Sequence, residues 1–257
     1  MSEKFTQRLI TIRSHPIRYL FIPKCGCTYV KNLIWKLHTG SQFQNPLRIH
    51  VVDKDLPRAS DFGLTSAHIR NEDYAFTVLR NPVDRFYSLY TDKVVGPGHK
   101  MYVPLRSILA DKYGLDVSAS SLTAHTKNCS ILIEWIAENL QSEKDIAKEA
   151  HWTPQAYRKN LMWQFDLKLL LVKDLERQLS ILLEPIIPNI EDMLKNLERN
   201  QSSKDFRREE VVTPKLRKRI NEVFSDDRKL FGQVRDQWKA KPHMSSREIP
   251  RYREIKW

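Results

Sequence analysis

The stretch Ile17-Arg18-Tyr19-Leu20-Phe21-Ile22-Pro23-Lys24-Cys25-Gly26-Cys27-Thr28-Tyr29 decides the fold class. Its first six residues are short, apolar and rich in β-formers, so they read as a strand that Pro23 ends. Val30, Leu33, Ile34 and Leu37 then recur with helical spacing, and Gly40 is a natural stop for that helix. The pattern returns at residues 74–79, a second buried strand closed by Arg80-Asn81-Pro82. Pro82 suits the first turn of a helix running through Phe86, Leu89 and Tyr90 to Val94. Residues 166–172 read as a third strand, followed by a helix from Asp174 to about Leu183. Strands alternating with helices predict an α/β fold with a mainly parallel central sheet flanked by helices. In such folds ligands sit beyond the carboxyl ends of the strands.

Outside these units the signals are sparser. Residues 41–61 have mixed polarity and two prolines and read as loop. Gly96-Pro97-Gly98 is a breaker, and residues 130–140 have helical spacing. Thr213-Pro214 opens a helix, with Thr as N-cap and Leu216, Ile220, Val223 and Phe224 on one face. The last dozen residues are basic and poorly patterned. The expectation is one domain over residues 1–257, with 245–257 as a tail.

The 257 residues include six Trp, nine Tyr and ten Phe, enough apolar surface for a real core, so global disorder is excluded. No apolar run approaches the ~18–20 residues needed to span a bilayer. The polar first eleven residues lack the apolar core of a signal peptide. Three cysteines cannot make a disulfide framework. These features predict a cytoplasmic protein. Lys and Arg number 43 against 31 Asp and Glu, a net charge of +12, which predicts an anionic ligand or partner. From residue 201 onward the count is 16 against 9, so more than half of the excess lies there.

The first junction, Lys24 to Tyr29, has the chemistry of an anion site. Helix N-terminal amides and the helix dipole favour negative charge. Gly26 lets the backbone approach closely. The Thr28 hydroxyl can donate to a phosphate oxygen, and Lys24 brings a full charge. The pattern is not the triphosphate loop G-x-x-x-x-G-K-[ST], because the Lys precedes the Gly and the first Gly is missing. Cys25, Cys27 and the distant Cys129 fall short of the four paired ligands of a zinc site, so no metal is expected. At the second junction, Arg80 ends a strand and Ser88 lies eight residues on along a helix. The two can converge on one phosphate.

Together the two junctions resemble the sulfotransferases that use 3′-phosphoadenosine-5′-phosphosulfate (PAPS). The first is similar to their 5′-phosphosulfate loop, P-K-[SV]-G-[CT]-[ST]. The second is similar to their 3′-phosphate motif, R-x-P-x-x-R-x-x-S. The Gly-Cys-Thr form of the loop and the later His151-Trp152-x-Pro154-Gln155 resemble carbohydrate sulfotransferases of sulfotransferase family 2. Residues 213–232, ending Asp226-Asp227-x-x-Leu230-Phe231-Gly232, resemble that family's C-terminal helix.

The resemblance implies a P-loop-like three-layer fold related to nucleotide kinases, with PAPS as sulfuryl donor and PAP as product. The loop from Lys24 through Cys25, Gly26, Cys27 and Thr28 to Tyr29 would hold the 5′-phosphate. Lys24 would bridge that phosphate and the leaving oxygen, and Arg80 with Ser88 would hold the 3′-phosphate. Two departures from the family are expected: no N-terminal membrane anchor of the usual kind, and Cys25 where Ser or Val is common.

Sulfuryl transfer to a hydroxyl needs a base, best a group with pKa near neutrality. His68, in His68-Ile69-Arg70 ahead of the second strand, fits an H-x-R pattern that some polysaccharide sulfotransferases carry. His151 is the second candidate; Glu72 and Asp73 are weaker ones. His15, His38, His50, His99, His125 and His243 read as surface or packing residues. The acceptor is expected to be a carbohydrate or other hydroxylated compound, with the basic C-terminal region favouring an acidic saccharide. A P-loop-type kinase and a basic nucleic-acid-binding protein are the competing readings. The missing triphosphate loop counts against the first. The lack of an RNA-recognition motif, zinc finger or clear helix-turn-helix counts against the second.

Overall fold

The computed structural model describes residues 3–70, 74–95, 102–140, 150–197 and 206–257. Glu72, Asp73, His99 and the breaker Gly96-Pro97-Gly98 lie outside the described residues. The chain divides into two compact units. Residues 1–80, 155–201 and 230–257 form the first, and residues 81–154 and 202–229 the second.

The first unit is built on a four-stranded sheet in the order β1 (Leu9–Thr11), β2 (Arg18–Leu20), β3 (Ala75–Leu79), β4 (Lys168–Leu171). β1 is antiparallel to β2; β2, β3 and β4 are mutually parallel, with Tyr19 opposite Phe76 and Thr77 opposite Leu169. Every strand position is buried, which is why the strands read as unbroken apolar runs rather than alternations. Three of the polar side chains are hydrogen-bonded to backbone carbonyls. Thr77 Oγ1 donates to the Leu20 carbonyl at 2.7 Å, Arg18 to the Ile17 carbonyl at 2.9 Å, and Lys168 Nζ to the Ser246 carbonyl at 2.7 Å. Tyr19 and Phe76 stack with ring centroids 5.1 Å apart. Burial of a side chain such as Phe76 contributes about 1.5–3 kcal/mol.

Helix α1 (Cys27–Thr39) buries Val30, Leu33 and Ile34 in this core and ends at Gly40, whose left-handed φ of 76° lets its N–H reach the Lys36 carbonyl. α2 (Ser66–Arg70) precedes β3. Three-residue β1 is too short to show a periodicity in the sequence. The segment expected as loop contains two 3₁₀ turns, Pro46–Val52 and Ala59–Phe62.

The second unit is helical. Asn81 caps α3 (Pro82–Leu89) by accepting from the Val83 and Asp84 amides, with Pro82 in the first turn as expected. α3 continues into a π-helical turn over Tyr90–Val95. α4 (Val103–Tyr113) and α5 (Leu122–Asn139) follow; α5 starts eight residues before the predicted span. Phe86, Tyr90, Leu109, Leu132, Trp135 and Ile220 belong to its core. The buried Tyr90 hydroxyl shares a hydrogen bond of 2.7 Å with His125 Nδ1, a packing role.

Back in the first unit, α6 (Lys159–Phe165) precedes β4 and α7 (Leu175–Leu183) follows it; α8 is Ile190–Lys195. In the second unit the Thr213 hydroxyl caps α9 (Pro214–Val223) by accepting from the Leu216 amide. α10 spans Ser225–Ala240, and its Trp238 donates from Nε1 to the Leu169 carbonyl at 3.0 Å.

Residues 245–257 are not a tail. Leu169 N–H donates to the Pro250 carbonyl at 2.8 Å and Tyr252 N–H to the Leu167 carbonyl at 3.0 Å. They cover the outer edge of β4, with Ile249 and Tyr252 in the core. Apolar anchors spaced between charged residues concealed this docking from pattern reading. No helix among the described residues is long and apolar enough to cross a membrane.

Candidate active site

Because β2, β3 and β4 are parallel, their three following loops leave the same end of the sheet. The first loop is conformationally unusual. Lys24 (φ 66°) and Gly26 (φ 71°) are both left-handed, and Cys25 between them is not. The Cys25 N–H is taken by the Ile22 carbonyl at 3.2 Å, so an anion on this loop would meet the amides from Gly26 onward. A left-handed residue other than glycine is strained by about 1–3 kcal/mol, a cost met at functional loops. At Gly26 an added Cβ would lie 2.9 Å from Leu175 Cδ2, so both the backbone and the neighbouring side chain favour glycine. Gly26 is the N-cap of α1, and the helix ladder leaves the Cys27 and Thr28 amides for other partners.

Arg80, the first residue after β3, is held against this loop. Its Nη1 donates to the carbonyl of the strained Lys24 at 3.0 Å. Gln155, 1% exposed, pins the pair. Its Oε1 accepts from the Arg80 N–H at 2.9 Å and from Cys25 Sγ at 3.1 Å, and its Nε2 donates to the Arg80 carbonyl at 2.9 Å. In the sequence Gln155 stands out only as the end of His151-Trp152-x-Pro154-Gln155. Its partners lie 75 and 130 positions away, so spacing carried no signal.

The third loop completes the surroundings. A cavity of about 560 Å³ is lined by Gly26 and Thr28 and by Leu175, Arg177 and Ser180 of α7, with Lys195 on α8. That volume lies within the range of small-ligand and cofactor sites. The α7 junction was recognised as strand-to-helix but not as part of a site. Its signal was topological, a third parallel strand ending at the same edge. Tyr29, the last loop residue predicted to bind, also lines the cavity and donates its hydroxyl to the Leu194 carbonyl at 2.9 Å. Beneath the loop, burial pushes the Tyr19 phenol well above its ordinary pKa, and Cys27 and Cys25 push the same way.

His50, read from sequence as a surface or packing residue, lies beside the loop. Its Nε2 is 3.1 Å from Thr28 Oγ1 and 3.8 Å from Cys27 Sγ. His68 lies exposed on α2, where its Nδ1 accepts from the Thr65 N–H at 3.2 Å; it does not line the cavity. In the second unit, Ser88 is half-buried on α3 and its carbonyl accepts from Thr91 Oγ1 at 3.4 Å. Arg85 of the same motif is 3% exposed and donates to the Ala150 carbonyl at 3.2 Å. His151, half-buried, shares a 3.1 Å hydrogen bond between its Nδ1 and the Tyr102 hydroxyl. Cys25, Cys27 and Cys129 are free thiols, and no metal-holding cluster of His, Cys, Asp and Glu occurs among the described residues.

A left-handed loop opening a helix, braced by the arginine at the end of the next parallel strand, makes this end of the sheet a candidate anion site. Comparison with known families agrees: the sulfotransferase family matches residues 7–232, and the chain belongs to that family. No curated protein and no solved structure matches the chain.

Proposed function

We propose that the protein transfers a sulfuryl group from PAPS to a hydroxyl of a carbohydrate acceptor by in-line displacement, on a P-loop-like domain formed by the whole chain. The observation that carries this reading is the Arg80-to-Lys24 hydrogen bond, which joins the two phosphate-recognition motifs at one end of the sheet. The adjoining cavity has room for a nucleotide.

In this reading the donor fits the residues present. The left-handed loop from Lys24 to Tyr29 would hold the 5′-phosphate with the Gly26, Cys27 and Thr28 amides and the Thr28 hydroxyl. Arg80 and Ser88 would hold the 3′-phosphate. PAPS supplies the sulfuryl group, whose bond to the 5′-phosphate oxygen breaks as the bond to the acceptor oxygen forms. Lys24 would neutralise the charge that grows on the leaving phosphate, a task that requires no metal. His68 would take the acceptor proton, with His151 the second candidate for that role. The basic excess beyond residue 201 favours an acidic saccharide over a neutral one.

The test is transfer of label from [³⁵S]PAPS to a panel of acidic glycans, neutral glycans and small hydroxylated compounds. Labelled product with wild-type protein and a strong loss with Lys24→Ala are expected. No transfer to any hydroxyl, together with phosphoryl transfer from ATP, would replace this reading with the kinase one.

A further inference from the structure

Thr28, assigned above to the donor phosphate, is not alone on its helix turn. Its Oγ1 lies 3.1 Å from His50 Nε2, while His50 Nδ1 lies 3.1 Å from Lys31 Nζ. Lys31 is fully buried, its ammonium ion-paired with Asp53 and 4.2 Å from the centroid of the Phe21 ring. The Lys31 ammonium faces the Asp53 carboxylate, and a lysine ammonium has three donors and no acceptor. His50 Nδ1 must therefore accept from Lys31. In the neutral ring the single proton is then on Nε2, which donates to Thr28 Oγ1. With its oxygen occupied as an acceptor, the Thr28 hydroxyl offers its own proton outward.

We propose that His50 is a positioning residue for the sulfuryl donor. Through the chain Asp53–Lys31–His50–Thr28 it fixes the Thr28 hydroxyl as a hydrogen-bond donor to the 5′-phosphate. The inference rests on the PAPS reading of the loop and adds a residue outside both phosphate motifs. His50 touches no reacting atom in this scheme; it acts through Thr28.

Two measurements test it. The first needs no nucleotide. ¹⁵N-histidine NMR of the full chain at pH 8, with the His50 signal assigned by its loss in His50→Gln, is expected to show the Nε2–H tautomer. An Nδ1–H tautomer would overturn the proposal. The second is a double-mutant cycle read by calorimetric PAP affinity. His50→Ala is expected to weaken PAP binding about threefold to tenfold, the span of one neutral hydrogen bond. The same change in a Thr28→Val background should have no effect. His50→Gln keeps an amide donor and should bind PAP better than His50→Ala; it also serves if the alanine variant does not fold. Equal losses in both backgrounds, with normal wild-type binding, would overturn the role of His50 alone. No PAP binding by the wild-type protein would overturn the nucleotide reading, and the proposal with it, whatever the tautomer.

Discussion

Gln155 closes a pair of hydrogen bonds with the Arg80 backbone and takes a third from Cys25, so one buried amide sets the spacing of Arg80 from the Lys24–Tyr29 loop. Gln155→Ala removes the bonds to the Arg80 N–H and carbonyl, each worth about 0.5–1.5 kcal/mol. We expect a lower melting temperature and weaker PAP binding together. Gln155→Glu keeps an acceptor for the Arg80 N–H but sets a carboxylate oxygen against the Arg80 carbonyl at a buried position, so its defect in both assays should be at least as large as that of alanine. Lys24→Ala should behave differently, lowering kcat about 100- to 1,000-fold while changing PAP affinity less, because in the proposed mechanism its charge would act on the transition state. A kcat unchanged in steady-state assays would remove Lys24 from the chemistry. His68→Ala should keep PAP affinity and lose about 100-fold or more in turnover. Wild-type turnover would eliminate His68 as the base and turn attention to His151. The sequence made Lys24, Thr28 and Arg80 legible because each sits at a strand-to-helix boundary that pattern and composition mark. Gln155 and His50 were illegible as site residues because their partners are set by tertiary folding.

At the scale of elements, the junction of β2 with α1 depends on Gly26. Gly26→Ala forces an L-residue to φ 71° and brings its Cβ within 2.9 Å of Leu175. A stability loss of about 1–2 kcal/mol in urea unfolding is expected from the backbone alone. The C-terminal segment gives a second case. Glu248 accepts from the Ser245 N–H at 3.0 Å and hydroxyl at 2.9 Å and from Lys241 Nζ at 3.1 Å, which lowers its pKa to about 2. A carboxylate depressed on folding stabilises fully above its ordinary pKa and loses that contribution as pH falls toward about 2. Glu248→Gln should therefore melt slightly below wild type at pH 7, and the gap should close progressively below pH ~4. A gap that widens on acidification would contradict this pairing. The helices α1, α3 and α9 were readable from their caps and apolar spacing. β1 and the docked C-terminal segment were not, because pairings of two or three residues leave no period in the sequence.

For the whole molecule, the family match over residues 7–232 spans both compact units. PAP at 100 times its dissociation constant should add about 2.7 kcal/mol to the stability of the folded chain, provided unfolded chain does not bind it. The class of fold was visible in the order of strands and helices. The site was visible at two of its three parallel-strand loops, and the third emerged only once β4 was seen beside β3. The central claim is that the Lys24 loop and Arg80 grip one doubly phosphorylated nucleotide. A crystal structure of the protein with PAP tests it most directly. The 5′-phosphate is expected on the amides of Gly26 to Thr28 and the 3′-phosphate on the Arg80 guanidinium. PAP bound away from both groups would contradict it.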